Sequence, residues 1–107
     1  MLNSVIVVDD EASIRTAVEQ WLSLSGFSVQ LFAHAEACLA HLPQHFPGVI
    51  ISDVRMPGID GLQLLERLQM ADPDLPVILL TGHGDVPMAV EAMRNGAYDF
   101  LEKPFSP

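Results

Sequence analysis

An α/β fold built on a doubly wound parallel sheet is predicted by three observations. Short apolar runs alternate with longer segments of helical period along the 107 residues, the pattern of successive βαβ units. Three of those runs are uninterrupted β-branched or leucine stretches, the composition of strands covered by helices on both faces. At 50% hydrophobic content the chain is long enough to bury one core and too short for two domains of ordinary size, so residues 1–107 are expected to form one domain.

The first strand is Val5 to Val8. Ile14, Val18, Trp21 and Leu22 then recur at helical spacing, marking a helix from about Glu11 that Gly26 closes as its C′ residue. Phe27 to Phe32 alternates apolar residues with Ser28 and Gln30, as a half-covered edge strand does. Ala35, Leu39 and Leu42 mark a second, shorter helix, and Val49 to Ile51 a central strand. Leu64, Leu65 and Leu68 define a third helix behind the N-cap Asp60, with Pro73 soon after its end. Val77 to Leu80 is the next central strand. Asp85 is a similar cap for a fourth helix carrying Ala89, Val90 and Met93, with Pro87 in its first turn and Gly96 closing it. Tyr98 to Leu101, interrupted by Asp99, is the other edge. The chain thus reads (βα)₄β, with a fifth helix largely absent. Right-handed crossovers around central first, third and fourth strands give the strand order 2-1-3-4-5, the flavodoxin-like winding.

Composition removes several functions. Fourteen acidic residues against five basic ones give a net charge of -9, and the basic residues form no cluster, so the segment is not expected to bind nucleic acid or an anionic membrane. The single cysteine, Cys38, cannot form an internal disulfide and reads as a packed helical side chain, consistent with a reducing compartment. One short apolar run precedes Asp9, Asp10 and Glu11, which leaves no signal peptide and no membrane-spanning stretch, so a cytoplasmic location is expected. His34, His41, His45 and His83 lack the spacing of a transition-metal site. Met88 and Met93 read as packing residues.

In a parallel sheet all strands end at one edge, where ligands bind in this class. Asp9 and Asp10 follow the first strand, Asp53 the third, Thr81 the fourth and Lys103 the fifth. Three carboxylates with one lysine make a hard-cation site, in which a divalent metal relieves the repulsion among the acids; all-oxygen ligands suit Mg²⁺. Each residue alone has a plainer role: Asp10 as the N-cap of the first helix, Asp53 as a polar strand terminator, Thr81 as a turn residue, Lys103 as a solvated surface charge. Their shared location at strand ends favours the site.

The segments VIVVDDE (Val5 to Glu11), DVRMPGIDG (Asp53 to Gly61), LLTGHGD (Leu79 to Asp85) and EKPF (Glu102 to Phe105) resemble the successive signatures of response-regulator receiver domains. They lie in the family's order, each at an expected strand end, and span nearly the whole chain. The run from Thr81 to Phe105 further resembles the receivers of C4-dicarboxylate transport regulators of the nitrogen-regulator class, and those of nitrogen-fixation regulators.

The resemblance implies that Asp53 is the nucleophile that takes a phosphoryl group from a sensor histidine kinase. It implies Mg²⁺ held by Asp10 directly, by Asp9 largely through water, and by Asp53 and the Arg55 carbonyl. Thr81 would hydrogen-bond the phosphoryl group and Lys103 would pair with it. Phe100, three residues before the lysine, falls where the family carries an aromatic switch residue; many members have tyrosine there, and phenylalanine keeps the ring without the hydroxyl. A cis Lys103-Pro104 bond is also expected. By the same resemblance the domain works as a homodimer, is no metabolic enzyme, and governs a AAA+ ATPase and a helix-turn-helix module beyond Pro107 that act in transcription for dicarboxylate uptake.

Three alternatives compete with this reading. A receiver with a different output, or none, shares every motif. A Mg²⁺-dependent phosphatase with an aspartate nucleophile would want a second acid two residues on, where Arg55 stands. A flavodoxin-like electron carrier would want a phosphate-cradling first loop, whereas Asp9, Asp10 and Glu11 repel a flavin phosphate.

Overall fold

The structure, a computed structural model, describes residues 3–82 and 85–102, apart from the side chain of Val86. Among these, five strands alternate with four helices: β1 (Ser4–Val8), α1 (Ala12–Leu24), β2 (Ser28–Phe32), α2 (Ala35–His41), β3 (Gly48–Asp53), α3 (Gly61–Ala71), β4 (Val77–Thr81), α4 (Val86–Arg94) and β5 (Asp99–Glu102). All neighbouring strands are parallel and their order is β2-β1-β3-β4-β5, as the sequence predicts.

Period-two alternation along the central strands divides the core between the two faces of the sheet. Val5, Val7, Ile51 and Leu80 pack with Val18 and Leu22 of α1 on one face. On the other, Ile6, Val8, Ile50, Val77 and Leu79 meet Cys38 of α2, the leucines of α3 and Ala92 of α4. Burying both faces is why these runs carry no polar residue until their last positions. The edge strands β2 and β5 contain no fully buried residue, in keeping with the polar interruptions of their sequences.

Helix ends follow local chemistry in most places. Gly26 at φ 92° and Gly96 at φ 106° close α1 and α4 in left-handed conformations. In each case the next amide returns to a carbonyl in the last turn, Phe27 to Leu22 and Ala97 to Ala92, at 3.0 Å. Asp60 caps α3 reciprocally: its carboxylate accepts from the Gln63 amide at 2.8 Å, and the Gln63 side chain accepts from the Asp60 amide at 2.9 Å.

One of the plainer roles is not taken up, and two expectations need correction. The N-cap of α1 is Glu11, not Asp10, and it makes no side-chain capping bond. Asp85 stands at the N-cap position of α4, yet its carboxylate does not cap the helix and pairs with Arg55. The second helix ends at His41, and Leu42 is already extended.

Candidate functional site

Strand register builds the site. Val8 of β1 lies beside Ser52 of β3, so Asp9 and Asp53, one step on, leave adjacent strands side by side. Asp53 in turn pairs with Leu80, which places Thr81 at the next step of β4. The chain continues the ladder past β1 and β3, through the Asp9 amide to Phe32 and the Val54 amide to Leu80, each at 3.1 Å. The acidic residues therefore sit on backbone fixed from both sides.

One carboxylate oxygen from each of Asp9, Asp10 and Asp53 lies within 4.8 Å of the others. Asp9 and Asp53 are buried, whereas Asp10 is exposed at the mouth. Asp9 is oriented by its neighbours: one carboxylate oxygen accepts from the Glu11 amide at 2.9 Å, and its carbonyl accepts from the Arg15 guanidinium at 2.7 Å. Nothing in the periodicity of α1 singled out Arg15; its signal was being one of five basic residues and lying one turn into a helix that starts beside the acids.

The start of α3 lies against the end of β3. The Gly61 amide donates to the Val54 carbonyl at 2.8 Å, and a Cβ at Gly61 would collide with the Asp53 carbonyl oxygen and lie 2.7 Å from the Val54 Cα. A residue without a side chain is required there by this approach. The Asp-Gly pair that ends the second motif thus has two structural jobs, a cap and a close contact.

Thr81 is fully buried at the end of β4, and its hydroxyl donates to the Leu101 carbonyl of β5 at 3.4 Å. Phe100 pairs with Leu79 in register, and its half-buried ring packs on the core face that also holds Met88 and Ala92 of α4. Thr81, two residues beyond Leu79, belongs to the same face. The side chain of Arg55, on the loop after β3, is engaged with Asp85: its Nε donates to Asp85 Oδ1 at 2.7 Å. Lys103 and the Lys103-Pro104 bond lie outside the described residues. The structure thus brings Asp9, Asp10 and Asp53 together and sets Thr81 one strand away.

Residues 5–107 match the response regulator receiver domain family. The chain belongs to that family. The receiver is 54% identical over 103 residues to the C4-dicarboxylate transport transcriptional regulatory protein DctD of Rhizobium meliloti (strain 1021), covering 96% of this chain and 22% of that protein. It is 46% identical to the DNA-binding transcriptional regulator NtrC of Salmonella typhimurium, covering 94% of this chain and again 22% of the relative. Among solved structures, full-length FixJ from B. japonicum superposes with a TM-score of 0.91 at 49% identity, over 97% of this chain and 51% of that one. The receiver chain therefore spans about a fifth of the length of the first two relatives. Among its described residues no helix is long and apolar enough to cross a membrane.

Proposed function

We propose that the receiver accepts a phosphoryl group on Asp53 from a phosphohistidine of a sensor kinase and uses it to switch an attached output. The observation that carries this reading is the convergence of Asp53 with Asp9 and Asp10, three carboxylates at adjacent strand ends within 4.8 Å. One carboxylate of the three, Asp53, ends a central strand and can present an oxygen to an incoming phosphorus.

The donor set fits Mg²⁺, since it is all oxygen and holds neither thiol nor imidazole. Asp10 and Asp53 would hold the ion directly, Asp9 largely through water, and the Arg55 carbonyl would complete the protein ligands. When bound, Mg²⁺ neutralises charge on the phosphoryl oxygens.

In the transfer, an Asp53 carboxylate oxygen forms a bond to phosphorus as the bond from phosphorus to the histidine nitrogen breaks. The electron pair of that bond returns to the imidazole, which takes up a proton. Lys103 would pair with the transferred group and Thr81 would donate a hydrogen bond to it. Water later attacks the acyl phosphate, regenerating the Asp53 carboxylate and releasing inorganic phosphate. This self-limited cycle is a timer, so the receiver is a phosphoryl acceptor and not a metabolic enzyme.

The output is read from the relatives. DctD and NtrC are transcriptional regulators several times longer than this chain, which supports a AAA+ ATPase and a DNA-binding module beyond Pro107. The likeness to DctD supports control of C4-dicarboxylate transport. Cytoplasmic location and a homodimer belong to the same reading.

Acetyl phosphate with Mg²⁺ tests it. Label is expected on the peptide containing Asp53 after borohydride reduction, and none in Asp53→Asn, which keeps the fold because the change is nearly isosteric. Label undiminished in that variant would overturn the assignment.

A further inference from the structure

Asp85 has a carboxylate at the start of α4 and two jobs open to it. As the N-cap residue it is placed to accept an amide of the first turn, and Pro87 at the second helical position has no N–H to give. The Met88 amide is therefore the capping donor left to it. In the structure it does the other job: Asp85 Oδ1 accepts from Arg55 Nε at 2.7 Å, and no side-chain cap forms. The backbone of Asp85, at φ -97° and ψ 9°, is also outside the extended conformation that an engaged N-cap adopts.

The two partners differ in how firmly they are held. The Asp85 side chain is only 11% exposed, whereas that of Arg55 is 68% exposed. A pair in which the arginine is this solvated opens at little cost. Arg55 is also two residues from Asp53 along a loop that leaves β3 at the acidic cluster. A phosphoryl group at Asp53 would carry a charge of about -1.5 to -2 in place of the single charge of the carboxylate it esterifies, with three acceptor oxygens, a stronger partner for a guanidinium than a single carboxylate.

We propose that Arg55 and Asp85 form a latch: Arg55 withholds Asp85 from capping α4, and phosphorylation of Asp53 draws the guanidinium away and lets Asp85 accept the Met88 amide. The inference rests on the reading of Asp53 as phosphoacceptor. Its switching element is the first turn of α4, which gains a cap when the latch opens. The ion pair spans 30 residues of sequence and joins the loop after β3 to the helix that packs beside Phe100.

Hydrogen exchange at the Met88 amide, with acetyl phosphate and Mg²⁺ as the probe and incorporation followed by mass, tests the latch. In the wild type this amide is expected to slow about fivefold on phosphorylation, the size of one helix cap. Asp85→Asn keeps a capping oxygen and loses the ion pair, so its Met88 amide is slowed before any phosphoryl group is added. Arg55→Gln is expected to show the same early slowing. Asp85→Ala has neither interaction, and its amide exchanges fast in both states. A phosphorylated wild type with unchanged Met88 exchange, or Asp85→Asn exchanging as fast as Asp85→Ala, overturns the latch. Should Asp53 take no phosphoryl group, the underlying reading falls by itself, and the three variants, compared without phosphorylation, still decide whether Arg55 withholds Asp85.

Discussion

The Thr81 hydroxyl is turned sideways along the sheet edge, donating to the Leu101 carbonyl of β5 at 3.4 Å. At that length the bond is weak, and a phosphoryl oxygen at Asp53 one strand away would compete for the same hydrogen. Exchange of partner would release the β5 backbone on the face where Phe100 packs against α4. Thr81 thus bonds the fifth strand and stands one strand from Asp53.

Thr81→Ala is therefore expected to leave phosphoryl incorporation at Asp53 in place while abolishing the accompanying change in β5 and α4. Loss of a buried hydroxyl and methyl should also lower stability by about 1–2 kcal/mol. Phe100→Ala should weaken the same response through lost packing and cost about 2 kcal/mol, less than for a fully buried ring. NMR shifts with and without acetyl phosphate and Mg²⁺ check both; an unchanged response in Thr81→Ala would show that the signal leaves by another route.

Asp10→Ala is expected to weaken Mg²⁺ binding and, without metal, to raise the melting temperature by about 2 °C. The sign follows from position. Asp10 is exposed beside two buried acids, and it makes no cap, since the N-cap of α1 is Glu11. The substitution removes repulsion and no hydrogen bond of the helix end. Thermal melts in chelator and in Mg²⁺ should move in opposite directions.

Strand order and the meeting of Asp9, Asp10 and Asp53 were legible in the sequence because they depend on few facts. Apolar runs such as Val5 to Val8 locate the central strands, and a parallel sheet brings all strand ends to one edge. The choice Asp85 makes was not legible. Local chemistry makes an aspartate before Val86 and Pro87 a cap, whereas its actual partner, Arg55, is 30 residues away and reaches it only through the fold. Arg15 was missed likewise: at helical spacing it stands between Glu11 and Glu19, where an arginine reads as a surface ion-pair residue, whereas in the fold it binds the backbone carbonyl of Asp9. The end of α2 was overrun since Leu42, an apolar residue in helical phase, packs on the core from an extended backbone.

Cys38 should be inert in the folded receiver. Burial in the core beneath α2 pushes its thiol up from 9.0 to about 11, so no thiolate forms at neutral pH. Iodoacetamide is expected to label it only as the protein unfolds. Between pH 9 and 11 the unfolded chain loses this proton and the folded one keeps it. The contribution is thus fully present below pH 9 and lost as pH rises through 11, at up to about 1.4 kcal/mol per pH unit. In Cys38→Ala that part of the alkaline slope should vanish from urea titrations; an identical slope in the two proteins would assign it to other groups.

Gly61→Ala should injure both the fold and the acidic site. The added methyl meets backbone, the Asp53 carbonyl oxygen and the Val54 Cα, and backbone cannot turn aside as a flexible side chain does. Either α3 retreats, stretching the 2.8 Å bond from the Gly61 amide to the Val54 carbonyl, or the end of β3 shifts and carries Asp53 with it. Overpacking of this kind costs about 1–3 kcal/mol. Asp60→Ala, which removes the reciprocal cap one residue earlier, is the control: it should cost about 1 kcal/mol yet leave Mg²⁺ affinity unchanged, because the Asp60 carboxylate accepts from the Gln63 amide of α3 and takes no part in the acidic cluster. Urea denaturation gives the two stabilities and a Mg²⁺ titration the affinities. Gly61→Ala is expected to lose both and Asp60→Ala stability alone; equal Mg²⁺ binding in the two variants would show that the start of α3 supports the fold without positioning Asp53.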